Sequence, residues 1–405
     1  MIETGKAVDI VLNDISKLGA ERISVFEALG RIVAAPVIAR RNLPAKDMSA
    51  MDGYAVISSD TEEAPVKLKV KGVIPAGLID DTLNVEKGTC YRIMTGAFVP
   101  NGANAVIEHE RTDNAMDIVT VNTVVKKGNN IRYKGEDMET GSVINRVGDR
   151  VTPYHIARYI SAGIFFISVY RKPKIAIVST GSEIADPSEQ DSPLKTFDSN
   201  GPLIKSMLQE YGADVSYMGV VPDKEDELLS MFSSLKGFDI IVTSAGISVG
   251  DFDLMNIISD KLGISWKFNA VNQKPGKHMS FGYMGDTAIF ACPGNPVSAM
   301  FCAYFYVKPA VLKMSGANNY QNVSIISRLG ENVFRKKGRV EFSRVKLVVE
   351  NGVITAYPFT SQDSHRIESI VAGNAFARFD DTMVGELPAG TEIETFVFNP
   401  QQVFG

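Results

Sequence analysis

The sequence predicts a multidomain chain of α/β plus β class, with a mainly parallel α/β domain, a β-rich N-terminal insert and a C-terminal β domain. Three observations carry this. Between Lys174 and Gly316 the apolar runs KIAIVS, DVSYMGVV, FDIIVTS and TAIFA alternate with amphipathic stretches such as Leu203, Ile204, Met207, Leu208 and Tyr211, the rhythm of βαβ units. From about Pro65 to Val151 the runs are short, alternating or β-branched (VKLKVKGV, DIVTVNTVV) and are separated by Gly and Asn. After about Tyr320 the strand-like pattern returns, and Asn351-Gly352 marks a hairpin turn.

The elements follow in order. Val8, Val11, Leu12, Ile15 and Leu18 recur at helical spacing before Gly19, and Ser24 with Glu27 forms a capping-box pattern that opens a second short helix. Thr152-Pro153 starts another helix, which closes near Gly163. The expected boundaries are therefore an N-terminal and linker region over 1–172, an α/β domain over 173–318 and a C-terminal β domain over 319–405. Within the first region, helical segments at about 1–45 and 150–165 surround a β-rich insert at about 46–149. No internal repeat or low-complexity tract interrupts this plan.

A chain of 405 residues corresponds to about two to four domains. Hydrophobic residues at 45% and charged residues at 22% are ordinary globular usage and exclude wholesale disorder or a coiled coil. Lys plus Arg number 42 against 47 for Asp plus Glu, a formal net charge of -5 that argues against general binding to nucleic acid or to an anionic membrane. An anionic ligand must then be held by local geometry. The segment MIETGKAVDIVLNDI lacks a basic region followed by a continuous apolar stretch. Apolar runs such as Ala299 to Val307 are too short to span a bilayer, so a cytoplasmic location is expected. Cys90, Cys292 and Cys302 have no CxxC spacing and read as buried free thiols rather than disulfides or zinc ligands.

Ligands of open α/β sheets bind outside the carboxyl ends of the strands, so the residues just after each predicted strand are the candidates. The first strand runs into Thr180, Gly181, Ser182 and Glu183, and the next is followed by Pro222 and Asp223. The third opens the loop SAGISVGDFD, with Ser244, Gly246, Ser248, Gly250, Asp251 and Asp253, and the fourth leads into Pro293, Gly294, Asn295 and Pro296. The loop QKPGKH adds Lys274, Gly276, Lys277 and His278. Gathered around one crevice, these groups suit a multiply charged phosphate: glycines admit the backbone N–H groups, lysines supply charge, and carboxylates hold a divalent cation that bridges phosphate oxygens. Acids alone would repel the ligand, so an acid-rich phosphate site implies an ion such as Mg²⁺.

Each feature also has a structural reading. Glu183 and Asp253 can cap helices, Asp223 is placed as an N-cap before KEDELLSMF, the lysines can be solvated loop charges, and Pro293 and Pro296 can simply end a strand and start a helix. His109, His155 and His365 are scattered, and no histidine is assigned a catalytic role.

The segment NLPAKDMSAMDGYAV, 42–56, has no amphipathic pattern and reads as an ordered loop. With it the sequence resembles the molybdopterin molybdenumtransferase family, the MoeA proteins of bacteria and the E domain of gephyrin, over nearly the whole chain. The resemblance is carried by SAMDGYAV at 49–56, IMTGAFVPNGANAVIEHE at 93–110, NIRYKGED at 130–137, STGSE at 179–183, DSN at 198–200, SAGISVGDFD at 244–253, KPGK at 274–277 and PGNPVS at 293–298.

It implies an elongated homodimer of four-domain subunits, a three-layer α/β domain of molybdopterin-binding type, a C-terminal β-barrel-like domain, and an active site shared between subunits. It further implies that adenylylated molybdopterin and molybdate are consumed and that AMP and the molybdenum cofactor are released. Asp52 and Thr95 would act from the partner side, with Arg132 and Asp137 lining the cleft. Glu183, Asp223 and Asp253 would place Mg²⁺ and substrate, Lys274 and Lys277 would bind phosphate or molybdate, and Pro293 and Pro296 would shape the wall. The adenylyltransferase that makes the substrate and the recipient molybdoenzymes are the implied partners.

Ala245, Tyr133 with Lys134, Lys46 and His278 depart from the commonest pattern, at positions where glycine, an arginine-rich run, an aromatic residue and proline are usual. Three other readings compete: a stand-alone molybdopterin adenylyltransferase, a gephyrin-like scaffold, and a nicotinamide-dependent oxidoreductase. SAMDGYAV and the C-terminal β domain argue against the first, and the retained acids Asp52, Glu183, Asp223 and Asp253 against the second. The third fails because no GxGxxG follows a strand with an acid about twenty residues later.

Overall fold

The computed structural model describes residues 1–188, 195–244 and 258–404. The chain divides into two compact units, Arg22–Val169 on one side and Met1–Glu21 with Tyr170–Gly405 on the other. In the larger unit a six-stranded sheet runs in the order Asp214–Val221, Lys174–Thr180, Ile240–Ser244, Thr287–Cys292, Ser280–Met284, Ile264–Phe268. The first four strands are parallel, and the last two turn antiparallel at the edge.

Both faces of this sheet are buried, which explains why its central strands read as continuous apolar runs. Ile175 and Ile177 face a cluster with Ile204, Leu208 and the helix residues Val11, Phe301 and Val307. Ala176 and Val178 face Leu228, Phe232 and Leu235 on the opposite side. The result is a three-layer α/β arrangement with helices Asn200–Glu210 and Glu225–Ser234 among its covers.

A long helical segment begins at Pro296, passes through a π-helical turn at Ala303–Val307 and continues over Lys308–Met314. Pro309 has no N–H to donate within the helix. The carbonyl of Phe305, four residues earlier, instead accepts a hydrogen bond from Asn322 Nδ2 at 3.0 Å.

The C-terminal sheet closes on itself. Val340–Glu350, Val353–Pro358, Ser324–Leu329, Glu392–Val397 and Ala375–Phe379 follow one another, and the last strand pairs back to the first. Leu329, Val345, Leu347, Phe379 and Ile393 fill this barrel. The expected hairpin forms at Asn351 and Gly352, both with positive φ, between the paired residues Glu350 and Val353. A two-residue strand, Gln273–Lys274, adds in parallel to the barrel strand at Val340 and Glu341.

The smaller unit contains a five-stranded sheet, Ala105–Glu108, Gly53–Val56, Thr89–Ile93, Val66–Ile74 and Ile118–Val121, over a core that includes Tyr54, Leu68, Cys90 and Ile107. Gly53 is required there by close approach, because a Cβ would lie 1.8 Å from the Ile107 carbonyl oxygen. Helix Pro153–Ser161 is capped by Thr152, and His155 returns a ring nitrogen to the Thr152 N–H at 3.1 Å, the part usually played by Glu in a capping box.

The expected helical stretch over 1–45 is mostly not helical. The first helix is Thr4–Asp14; Ile15 turns extended and the Leu18 N–H bonds the Met314 carbonyl instead. Ser24 caps only one 3₁₀ turn, Val25–Glu27, through the Phe26 N–H, and Ala20–Ser24 and Val37–Ile38 are strands. Tertiary hydrogen bonds win over the local pattern here.

All three cysteines are buried and free, and burial pushes the Cys90 and Cys292 thiols up to about 12. Among the described residues no helix is long and apolar enough to cross a membrane.

Candidate functional site

The carboxyl edge of the parallel sheet is built from small polar groups. Gly181 ends the first strand with φ +144 and donates to the Val221 carbonyl at 3.2 Å, which draws the two neighbouring strand ends together. Ser182 N–H donates to Asp223 Oδ2, and Asp223 N–H donates to Ser182 Oγ, each at 3.3 Å. Asp223 is therefore not the helix cap that its position suggests. Helix Glu225–Ser234 has Lys224 at its N-cap, and the Asp223 carboxylate turns toward the TGSE loop. Glu183 does not cap a helix either, because the two-residue strand Ile184–Ala185 follows it.

Asn200 ties this edge together. Its Nδ2 donates to Ser244 Oγ at 2.8 Å and to the Gly294 carbonyl at 2.7 Å, joining the start of the SAGISVG segment to the PGNP turn. Because the Gly294 oxygen only accepts, the amide orientation is fixed. Asp198 accepts from the N–H groups of Asn200 at 3.0 Å and Gly201 at 3.2 Å, and from the Tyr217 hydroxyl at 2.8 Å. Burial, and then that bond to Asp198, raise the Tyr217 hydroxyl well above its ordinary range. Gly201 permits the packing, since a Cβ would fall 2.3 Å from the Tyr217 ring. Asn200 Oδ1, Ser179 Oγ, Thr180 Oγ1 and Thr243 Oγ1 are buried without a hydrogen-bond partner among the described residues. Each such atom costs about 1–3 kcal/mol until a polar ligand or water satisfies it.

A second group of predicted residues meets elsewhere. Lys274, Lys277, His278, Pro293 and Asn295 line a cavity of about 380 Å³, whose other walls include Ser298, Arg339, Glu341, Arg344, Asp363 and Ser364. Thr180, Ser182, Glu183 and Asp223 do not line it. The KPGK turn reaches the cavity because Gln273–Lys274 has joined the barrel. Gly276 holds the turn with φ +84, where a Cβ would fall 2.6 Å from Cys302 Sγ. Buried Gln273 braces it, donating to the Gly276 carbonyl at 3.1 Å and accepting from the Tyr306 hydroxyl.

Lys274 Nζ lies 3.2 Å from Glu341 Oε1, and Arg339 donates to the Gln273 carbonyl at 3.0 Å. Burial, then Lys277 and Arg339, hold the His278 imidazole below its ordinary pKa. Pro293 and Pro296 do end a strand and begin a helix, and their turn also connects this cavity to Asn200.

In the smaller unit, Asp52 Oδ1 accepts from the Thr95 N–H at 2.7 Å and from the Thr95 hydroxyl at 2.8 Å, in that order the main reasons its carboxyl lies below the usual range. Both side chains are exposed. Arg132 pairs with Met48 across two short strands, and the Asp137 N–H donates to the Leu43 carbonyl at 3.1 Å. At the departures from the family pattern, Lys46 pairs with Asp81 and stands 5.6 Å from the Phe98 ring centroid, and Tyr133 N–H and Lys134 N–H donate to Glu136 and Asp47.

Ala245, Gly246, Ser248, Gly250, Asp251 and Asp253 lie outside the described residues. The expected acid trio of Glu183, Asp223 and Asp253 therefore extends beyond them. Among the described residues no three His, Cys, Asp or Glu side chains gather closely enough to hold a metal ion. Glu183 and Asp223 are hard oxygen donors, a set that suits Mg²⁺ rather than a soft metal.

Sequence reasoning missed the role of Asn200, although this residue ends the DSN motif, and it missed Ser298, Arg339, Arg344 and Ser364. The last three come from the barrel domain, and no local pattern connects them to KPGK.

Family profiles match nearly all of the chain: MoeA N-terminal region (domain I and II) over residues 2–163, a probable molybdopterin binding domain over 176–313, and MoeA C-terminal region (domain IV) over 327–398. A molybdopterin molybdenumtransferase of Haemophilus influenzae is 32% identical over 94% of this chain and 94% of its own. One of Staphylococcus aureus strain COL is 31% identical over 92% and 90%. A solved structure described as a molybdopterin biosynthesis MoeA protein from Pyrococcus horikosii is similar at 29% identity, with a TM-score of 0.86 over 98% of this chain and 99% of that one.

Proposed function

Because the chain belongs to the molybdopterin molybdenumtransferase (MoeA) family, we propose that it is a transferase of molybdenum cofactor biosynthesis that inserts molybdate into adenylylated molybdopterin with release of AMP. The observation that carries this reading is the 380 Å³ cavity. Lys274, Lys277, Arg339 and Arg344 outnumber the acids Glu341 and Asp363 along its walls, and Ser298 and Ser364 add neutral hydroxyls. A small tetrahedral oxyanion needs this combination of positive charge with short donors.

The nucleotide-bearing substrate occupies the neighbouring sheet edge. There the orphaned hydroxyls of Ser179, Thr180 and Thr243 offer hydrogen bonds. The glycine turn at Gly181 exposes backbone close to where phosphates sit in open α/β sheets. Glu183, Asp223 and Asp253 would hold Mg²⁺, which supplies charge stabilisation when the phosphoric anhydride breaks. Asn200 and the PGNP turn keep the two halves in register, so that molybdate is held beside the sulfur-bearing end of the pterin.

The homodimer whose subunits share site residues belongs to the same proposal and accounts for Asp52, Thr95, Arg132 and Asp137. So do the upstream adenylyltransferase and the recipient molybdoenzymes as partners, and a cytoplasmic location.

The test is to incubate the protein with adenylylated molybdopterin, Mg²⁺ and molybdate, and to follow AMP release together with activation of a cofactor-free molybdoenzyme. Molybdate-dependent release with activation is the expected result. Stable binding without turnover would instead indicate a carrier.

A further inference from the structure

Open α/β sheets commonly receive phosphate at the N-terminus of a helix that follows a strand. The helix Asn200–Glu210, which starts at the DSN motif, is closed to that use. The N–H groups of Asn200 and Gly201 donate to Asp198 Oδ1 at 3.0 and 3.2 Å, Pro202 has no N–H, and the Leu203 N–H begins the helical ladder at the Ser199 carbonyl, 3.2 Å away. A carboxylate of the chain's own thus stands where an anion would bind.

Asp198 is 6% exposed, and its other oxygen accepts from the Tyr217 hydroxyl at 2.8 Å. All three donors are neutral. A buried carboxylate is costly unless hydrogen bonds replace its water, and of these three bonds the Tyr217 one comes from another element, the edge strand Asp214–Val221. The contacts continue into the site. Asn200, whose N–H is fixed on Asp198, spends its side-chain amide on Ser244 Oγ and the Gly294 carbonyl. Tyr217, Asp198 and Asn200 therefore link the edge strand to the ends of the third and fourth strands across the sheet.

We infer that Tyr217 and Asp198 are positioning residues for the nucleotide-bearing substrate: the hydroxyl fixes a carboxylate that takes the place of phosphate at the helix start and thereby sets Asn200, leaving the anhydride to the Gly181 turn. The inference rests on that substrate occupying the sheet edge. A phosphate brought against Asp198 would meet a like charge in a wall poor in water. At the Gly181 turn the acids Glu183 and Asp223 would instead be bridged to phosphate by Mg²⁺.

The experiment compares wild type with Tyr217→Phe and Asp198→Ala. Calorimetry measures binding of adenylylated molybdopterin without molybdate, steady-state AMP release gives KM and kcat, tungstate serves as a non-turnover probe of the oxyanion cavity, and thermal melting reports folding. Tyr217→Phe keeps the ring and removes the hydroxyl. Affinity for the adenylylated substrate should fall, and its KM rise, about tenfold, with kcat within about threefold of wild type and tungstate affinity unchanged. Asp198→Ala should lose about thirtyfold, and formate, which can replace the missing carboxylate on the Asn200 and Gly201 N–H groups, should recover about threefold of that loss while leaving wild type as it is. Unchanged substrate affinity in whichever variant is folded overturns the inference. So do a loss confined to kcat, an equal loss of tungstate affinity, and a failure of formate to help folded Asp198→Ala. If wild type itself does not bind adenylylated molybdopterin, the reading of the sheet edge fails instead.

Discussion

The two halves of the candidate site are made differently. The sheet edge is short-range, built from backbone, hydroxyls and carboxylates: Gly181, Ser182, Asp223, Ser244 and Gly294 are each within a few residues of a strand end, and one amide, Asn200, links Ser244 to Gly294. The proposed oxyanion cavity is charged and long-range, lined by Lys274 and Lys277 from one domain and Arg339 and Arg344 from another. A phosphate-bearing ligand can be cradled by backbone and hydroxyls once a sheet exists. A compact oxyanion needs several cations converging on one point, and those cations must be brought together against their own repulsion by a packed barrel and a packed helix. Folding into layers suffices for the first half; domain docking is needed for the second.

Substitutions should separate the halves. The largest effect is expected for Lys277→Ala, which removes a cation from the cavity. The KM for molybdate should rise about a hundredfold, while affinity for the adenylylated pterin in a binding assay without molybdate stays near wild type. Equal losses in both would merge the two halves into one. Asn200→Ala comes next. It strips the donors from Ser244 Oγ and the Gly294 carbonyl, which should cost about 1–3 kcal/mol in denaturant unfolding and raise the KM for the adenylylated substrate about tenfold. Tungstate binding should barely change, and a loss there equal to that of Lys277→Ala would break the comparison.

The smallest expected effect is a pH dependence. The free-state His278 imidazole is held below its ordinary pKa by burial and by two neighbouring cations, so it is neutral near pH 7. An oxyanion in the cavity favours the charged ring and raises that pKa. Tungstate affinity should therefore increase as pH falls through the bound-state value, and level off below the free-state value. The gain should be about two- to threefold between about pH 7.5 and about pH 6, with about 0.2–0.3 proton taken up on binding over that range. In His278→Asn the slope should vanish; a slope that persists would assign the titration to another group.

The sequence pattern is informative wherever physics acts over short distances. The central strands are legible because both of their faces are buried. The hairpin at Asn351-Gly352 is legible because positive φ at successive positions selects those residues. The strand-end loops can be located from the alternation of strands and helices alone, since a sheet edge is a topological position, and Asp52 with Thr95 comes from the family resemblance alone. The expected helix after Ser24 misleads, because a cap can start a turn but only packing prolongs it, and Ala20–Ser24 finds a strand partner instead.

By itself, then, the sequence determined the alternation of strands and helices along the chain, the family, and the residue types in the strand-end loops, because those follow from local periodicity, turn chemistry and motif order. The tertiary structure alone decided that Asp223 turns toward the TGSE loop rather than capping its helix. It also decided that Asn200 joins two distant loops, and that KPGK leaves the sheet edge to meet Arg339, Arg344 and Ser364. The physical reason is that a charged cavity is assembled from residues whose convergence is held by cores and hydrogen bonds far from the residues themselves, and no local stretch of sequence records that convergence.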